Sequence, residues 1–353
     1  MAIIDKPSDY FNTMLYTANG AVRNITEADT FQADLVWLKR RNASVSHHLV
    51  DSVRGATKAI YSNTNASQAT DSGGVTGFVA NGFSLGTQGG YNDTGTFVSW
   101  TWKSGTSFTN DASATGIGTI DSAGSVNTDS GFSIISYTGT ATNGTIAHGL
   151  GVAPSLIIIK NYSTSINWSV NSQPLNASLG DYTRYLTLDS NGAVSGAGNT
   201  QYQNSAFTSS VFNVGTNATT NGNGNSIIAY CFANVQGFSK TGTYVGNGNA
   251  NGTFVYTGFK PAWVMYKSSS LSESWKIYDA ARQPNNVVNL ALDANSNSAE
   301  DSGGGGNDID FLSNGFKQRG NDSRANGSGA TYIYMAFAEN PLVASNFNAA
   351  TAR

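Results

Sequence analysis

Few residues in this 353-residue chain have the types and spacing that chemistry requires. Its three histidines are the adjacent His47 and His48 and the isolated His148. None has Cys, His or Asp neighbours at metal-ligand spacing, so no metal site is expected. A Ser-rich chain leaves a Ser/His/Asp triad open, but no Gly-x-Ser-x-Gly elbow is read in it and acyl transfer is not expected. Glycoside cleavage needs only two carboxylates about 5 to 9 Å apart. The sequence-adjacent candidates, Glu27 with Asp29 and Glu300 with Asp301, read as solvated turn residues. Asp51 with Arg54, and Asp279 with Arg282, read as local ion pairs or caps. The single Cys231 sits in the apolar run Ile227 to Phe232 and reads as a small buried hydrophobe. No catalytic, cofactor-binding or metal-binding residue is therefore assigned, and no enzymatic activity is expected.

Composition says what must position these residues. Charged residues are 12% of the chain, about half the roughly 25% usual for soluble proteins. Glycine, asparagine, serine and threonine fill the intervals between aromatic and β-branched residues, which favours strands and turns over helices. A hydrophobic fraction of 39% is enough for packed cores. The net charge of -3, with scattered Lys and Arg, offers no basic stripe for a nucleic-acid backbone. The first residues lack the order of a secretory signal, and no apolar stretch reaches the 18 or so residues of a membrane helix. Synthesis and folding in a cytoplasm are the expectation, and Asn-x-Ser/Thr triplets such as Asn42-Ala43-Ser44 carry no implication of glycosylation.

Repetition organises the chain. An apolar strand ending in lysine occurs three times, at Leu35 to Lys39, Leu156 to Lys160 and Trp263 to Lys267. Upstream lie Tyr16-Thr17, Tyr137-Thr138-Gly139 and Tyr256-Thr257-Gly258; downstream, His47, Trp168 and Trp275 share one offset from their lysines. The Asp-Arg pairs share another, and the middle segment lacks it. Each segment then has a Gly/Phe turn and closes on an aromatic strand: Phe97 to Trp102, Ile228 to Phe232, Tyr332 to Phe337. The expectation is an all-β fold of three tandem related β-sandwich-like units with long Gly/Asn/Ser-rich loops and little helix. The boundaries are an N-terminal arm 1–11 and units 12–110, 111–235 and 236–353. Short helices are expected around Val53 to Ser62 or Asp279 to Arg282. Trp37, Trp100, Trp102 and Trp263 recur at equivalent positions and are expected in the core.

Six segments carry a resemblance: Tyr10 to Thr17, Asp34 to Arg41 and Asp51 to Gly55 in the first part, and Phe254 to Val264, Asp310 to Phe316 and Tyr332 to Glu339 in the last. With these motifs the chain resembles, over nearly its whole length, a family of tail-fibre-like structural proteins of marine tailed phages. The resemblance implies a virion component assembled in the host cytoplasm and implies no catalytic residues. A fibre or adhesin involved in host attachment is the first expectation, a capsid decoration or cement protein the alternative, and a glycan-degrading tailspike-like enzyme the third. Partners would be other virion proteins through the N-terminal arm and a host surface glycan or protein receptor, with a homo-oligomer, in the form of a trimer, as the assembly. The loops Thr216 to Ser226 and Ser302 to Asn307 are the expected receptor contacts.

Overall fold

The computed structural model describes residues 4–27, 30–301, 306–340, 342–343 and 349–350. The lysine-ended strands form as expected, as Leu35–Arg40, Leu156–Asn161 and Pro261–Ser268. Each lies inside a main antiparallel sheet beside its closing aromatic strand. In spatial order the first sheet is Phe11–Thr17, Thr96–Trp102, Leu35–Arg40 and His48–Asp51. The second is Thr106–Asn110, Ser122–Asn127, Phe132–Thr138, Ser226–Phe232, Leu156–Asn161 and Ser169–Ser172. The third is Ser239–Val245, Thr331–Ala338, Pro261–Ser268, Lys276–Asp279 and Leu292–Asp293.

Register makes the sheets superimposable by pairing. Leu35 lies opposite Asp51 and Trp102, Leu156 opposite Ser172 and Phe232, and Trp263 opposite Asp279 and Phe337. The inner strands are apolar on both faces because both faces are covered. Leu35 and Trp37, Leu156 and Ile158, and Trp263 and Met265 belong to one core shared by all three sheets. The alternate residues Val36, Ile157 and Val264 belong to three separate outer cores. These are closed by small sheets: Arg23–Thr26, Gly82–Leu85 and Val75–Val79; Gly144–Ala147 with Val211–Val214; and Phe254–Tyr256, Gly315–Gln318 and Ile309–Leu312. All six tryptophans are buried. A large apolar side chain so placed contributes roughly 1.5–3 kcal/mol, and the shared core, which holds all six tryptophans, is the largest of the four cores.

The fold is all-β. Its helices among the described residues are a 3-10 turn at Pro7–Asp9 and the short Ala112–Thr115, Gln173–Leu179 and Ala218–Asn221. Those expected near Val53 and Asp279 are turns instead, because the side chains of Asp51 and Asp279 accept the backbone N–H of Arg54 and Arg282 and close the chain locally. The change from first to second sheet falls between Trp102 and Thr106, ahead of residue 110, since Thr106–Asn110 pairs with Ser122–Asn127. Residues 4–10 dock on their own chain. Ile4 enters the shared core, and Ser8 exchanges hydrogen bonds of 2.9 and 3.0 Å with Asn340. The arm is therefore tied down on its own chain.

Candidate functional site

The chemistry-bearing residues converge on the seams between the main sheets, and each seam is made by one sheet reaching into the next. At the first seam Tyr230, from the second sheet, donates to Asp51 Oδ2 at 2.8 Å. The same oxygen accepts Arg54 Nε at 2.6 Å. The other guanidinium nitrogens of Arg54 donate to the Lys58 and Leu49 carbonyls and to Gln68. Burial works against the Arg54 charge, and the Asp51 carboxylate outweighs it, so the guanidinium is held charged above its ordinary pKa.

A second seam repeats the design. Trp100, from the first sheet, donates Nε1 to Asp279 Oδ2 at 3.0 Å, and Arg282 Nε reaches that oxygen at 2.5 Å. Here a further pair is added. Glu300 accepts Arg282 Nη1 at 2.9 Å and holds Arg41 of the first sheet through two hydrogen bonds of 2.9 Å. Burial raises the Glu300 pKa, but Arg41 and Arg282 outweigh it and hold the carboxyl below the usual value. Glu300 is therefore a structural carboxylate and not the solvated turn residue its sequence context suggests.

At the third seam the same positions carry Ser172, Leu175 and Met335. By register Met335 is the counterpart of Trp100 and Tyr230, and Ser172 that of Asp51 and Asp279. Leu175 and Met335 are both buried in the shared core. A facing residue with no donor removes the need for a carboxylate, and without a carboxylate a buried guanidinium has no counter-charge. The missing Asp-Arg pair of the middle segment is thus matched by a change across the seam.

The residues offset from the lysines form a second ring of contacts running the same way. Trp168 donates to the Tyr61 carbonyl at 2.9 Å and Trp275 to the Thr187 carbonyl at 2.9 Å, while His47 lies by the Asp293 backbone with its Nε2 making no hydrogen bond among the described residues. Tyr61, Thr187 and Asp293 follow the equivalent residues Ile60, Leu186 and Leu292. His47 Nδ1 accepts from Trp37 Nε1 at 2.9 Å, which leaves its proton on Nε2. Burial, followed by the Lys39 charge, holds the ring neutral, well below the ordinary histidine pKa. Lys39, Lys160 and Lys267 are fully buried and donate to carbonyls; Lys39 reaches Asn297 and Lys160 reaches Asn65, both across a seam.

The remaining candidates are occupied structurally. His48 packs on Tyr91 and Tyr61, with burial pushing its pKa down to about 4. His148 spans Thr208 O and Leu150 N, and burial likewise takes it to about 4. Burial pushes the Cys231 thiol up to about 12, away from nucleophilic use. Glu27 accepts from Asn12 at 2.8 Å, while Asp29 lies outside the described residues. Among the described residues no group of three His, Cys, Asp or Glu is placed to hold a metal, and no helix is long and apolar enough to cross a membrane.

The expected absence of a Gly-x-Ser-x-Gly run is incorrect: Gly82-Phe83-Ser84-Leu85-Gly86 has that spacing, but Gly82–Leu85 is a strand of an outer sheet, and Ser84 donates to Asn24 at 2.7 Å. Asn92, Asn221 and Asn326 are fully buried staples, each donating to the Gly86, Gly215 or Gly320 carbonyl ahead of it. The loop expected to contact a receptor at Thr216 to Ser226 is interior in its middle, with Thr220 and Asn221 fully buried, and exposed at Thr216, Ala218, Asn223 and Gly224. In the other, Ser302 to Gly305 lie outside the described residues. A shallow groove of about 390 Å³ lies instead beside Phe108, between Thr106 and Asp129.

Residues 6–341 match a family described as Domain of unknown function (DUF7483). The chain belongs to that family. No curated protein matches it. The match runs across all three main sheets and both polar seams.

Proposed function

We propose that this chain is a structural component of a tailed-phage virion, made of three copies of one β module, that faces the host and serves attachment. The observation that carries the reading is the use made of ionisable side chains. Asp51, Arg54, Asp279, Arg282, Glu300 and Arg41 hold sheets together at buried seams, which suits a particle surface that must resist unfolding and proteolysis. Its sequence resemblance to tail-fibre-like proteins supplies the virion context. A non-enzymatic role belongs to this reading, because each of those carboxylates is engaged by a buried guanidinium within a seam.

A second reading, a decoration protein on the phage head, is favoured by the ring of seams. Sheet two reaches sheet one, sheet one reaches sheet three, and the interior that three separate subunits would share is already filled within one chain. Such a unit needs no trimer partner to be complete. Immunogold labelling of the last sheet on intact virions, with the label counted per particle, tests both. Few labels confined to the tail support the fibre, many over the head support the decoration protein, and none on purified particles overturns the virion reading. Sugar release from host envelopes by the purified chain would overturn the non-enzymatic role.

A further inference from the structure

The three modules provide an internal control for any surface residue, since each position is seen three times on one fold. The edge strand of each outer sheet places one apolar residue inward against a buried phenylalanine: Ile25 opposite Phe83, Ile146 opposite Phe212, and Val255 opposite Phe316. On either side of these the first two strands carry Asn24 and Thr26, and Thr145 and Ala147. The third carries Phe254 and Tyr256, exposed at 44% and 58%. The fold does not ask for rings there, because it is built twice without them. Two half-exposed aromatic side chains on one strand face are therefore additions that packing does not demand.

We propose that Phe254 and Tyr256 form a stacking platform for the sugar rings of an acidic polysaccharide, with the amines of Lys240 and Lys317 reading its carboxylates. The two side chains point to one face of the strand, roughly 7 Å apart. The Phe254 ring lies beside Gly315, with its Cε2 3.2 Å from where a Cβ would stand; the glycine itself is required by the Val255 carbonyl, as Gly82 is by that of Ile25. Lys240 Nζ sits 5.1 Å from the centre of the Tyr256 ring and donates to the Tyr256 carbonyl at 2.9 Å. Lys317 is directly across from Phe254 and donates to the Asn251 amide oxygen at 2.5 Å. Both amines give their hydrogen bonds to neutral oxygens, and the carboxylate of Asp310, opposite Lys317 on the next strand, is paired with Arg319 at 3.3 Å, so positive charge remains beside the rings. A saccharide fits this patch better than a protein does. An aromatic side chain buries at most about 150–250 Å², and the pair with neighbouring Val245 falls short of the roughly 800 Å² per partner of a stable protein interface.

This deepens the host-attachment reading, and it is tested on the purified full chain, so its failure leaves the virion labelling untouched. Binding to immobilised alginate, a polyuronate, is compared with binding to dextran, a neutral glucan. The expected result is retention on alginate at about 0.15 M salt, weakened about tenfold in the double variant Phe254→Asn, Tyr256→Thr, which carries the residues of the first module. Lys240→Gln with Lys317→Gln should lose the preference for alginate over dextran. Both variants should melt with the parent. The proposal is overturned if the parent binds neither polymer, or if the ring variant binds as the parent does. Concentration-dependent self-association of the parent that the ring variant abolishes, without alginate binding, would make the patch a contact between copies and overturn it as well.

Discussion

The first and third seams occupy equivalent positions and are built from opposite chemistry. One joins Asp51, Arg54 and Tyr230 through hydrogen bonds of 2.6 and 2.8 Å. The other places Ser172, Leu175 and Met335 in the same core with no such bonds. Both are closed to solvent, so a buried ion pair is not what this architecture requires for stability. The charged set accompanies a facing ring with a hydrogen-bonding atom, Tyr230 or Trp100, and gives way when that residue is methionine. Polarity at a seam is therefore a property of the pair of surfaces, and it fixes which sheet meets which.

The comparison is broken most forcefully by removing one member of a polar seam. Arg54→Met leaves the Asp51 carboxylate buried without its counter-charge and is expected to lower stability by about 3–5 kcal/mol in urea unfolding. A loss below about 1 kcal/mol would show the seam to be wetter than its burial indicates.

Acid should act next. His48 and His148 have folded pKa values near 4, and His47 is held well below its ordinary value, against about 6.5 unfolded. These groups are neutral in the fold and take up protons on unfolding. The stability they confer is complete above pH 6.5 and lost as pH falls through about 4, by up to about 3 kcal/mol for each of His48 and His148. Urea midpoints measured from pH 7 to pH 4 should fall, and His47→Gln should flatten the curve; a parent curve flat across that range would contradict the neutral buried rings.

Tyr230→Phe sharpens the comparison without stranding a charge, since Arg54 still serves Asp51. We expect a loss of about 1–2 kcal/mol, and no loss from the same test at the apolar seam with Met335→Leu beyond about 1.5 kcal/mol. The smallest effect is expected of the full exchange. Asp51→Ser, Arg54→Leu and Tyr230→Met together should bring stability back to within about 1 kcal/mol of the parent. If the triple variant is as weak as Arg54→Met alone, the apolar set depends on surroundings that only the third seam has.

Much of the fold was legible because the repeated strands are long and apolar on both faces, and register then follows from hydrophobic position. The shared offset of His47, Trp168 and Trp275 was visible, and the two tryptophans carry a common job. Letter similarity misled at Tyr256. The counterpart of Tyr16 and Tyr137 is Tyr244, whose hydroxyl donates to the Ala325 carbonyl as theirs do to Tyr91 and Thr220. Tyr256 repeats the Tyr-Thr motif one strand later, on the surface. Glu300 was read as solvated because its partners Arg41 and Arg282 are distant or unremarkable in sequence, and only the approach of the third sheet to the first supplies them. The buried asparagines were hidden by the number of asparagines around them, although each stands eight or nine residues before Trp100, Tyr230 or Met335.

Phe11 and Phe337 stack at 4.7 Å between ring centres in the shared core. During translation the first of these rings waits, uncovered, until the ribosome has produced the second. Loop closure over that separation carries a large entropic cost, and non-local pairing of this kind is slow. A nascent chain that has completed two sheets still presents an open apolar face, so chaperone occupancy should persist until the last aromatic strand emerges and then end abruptly.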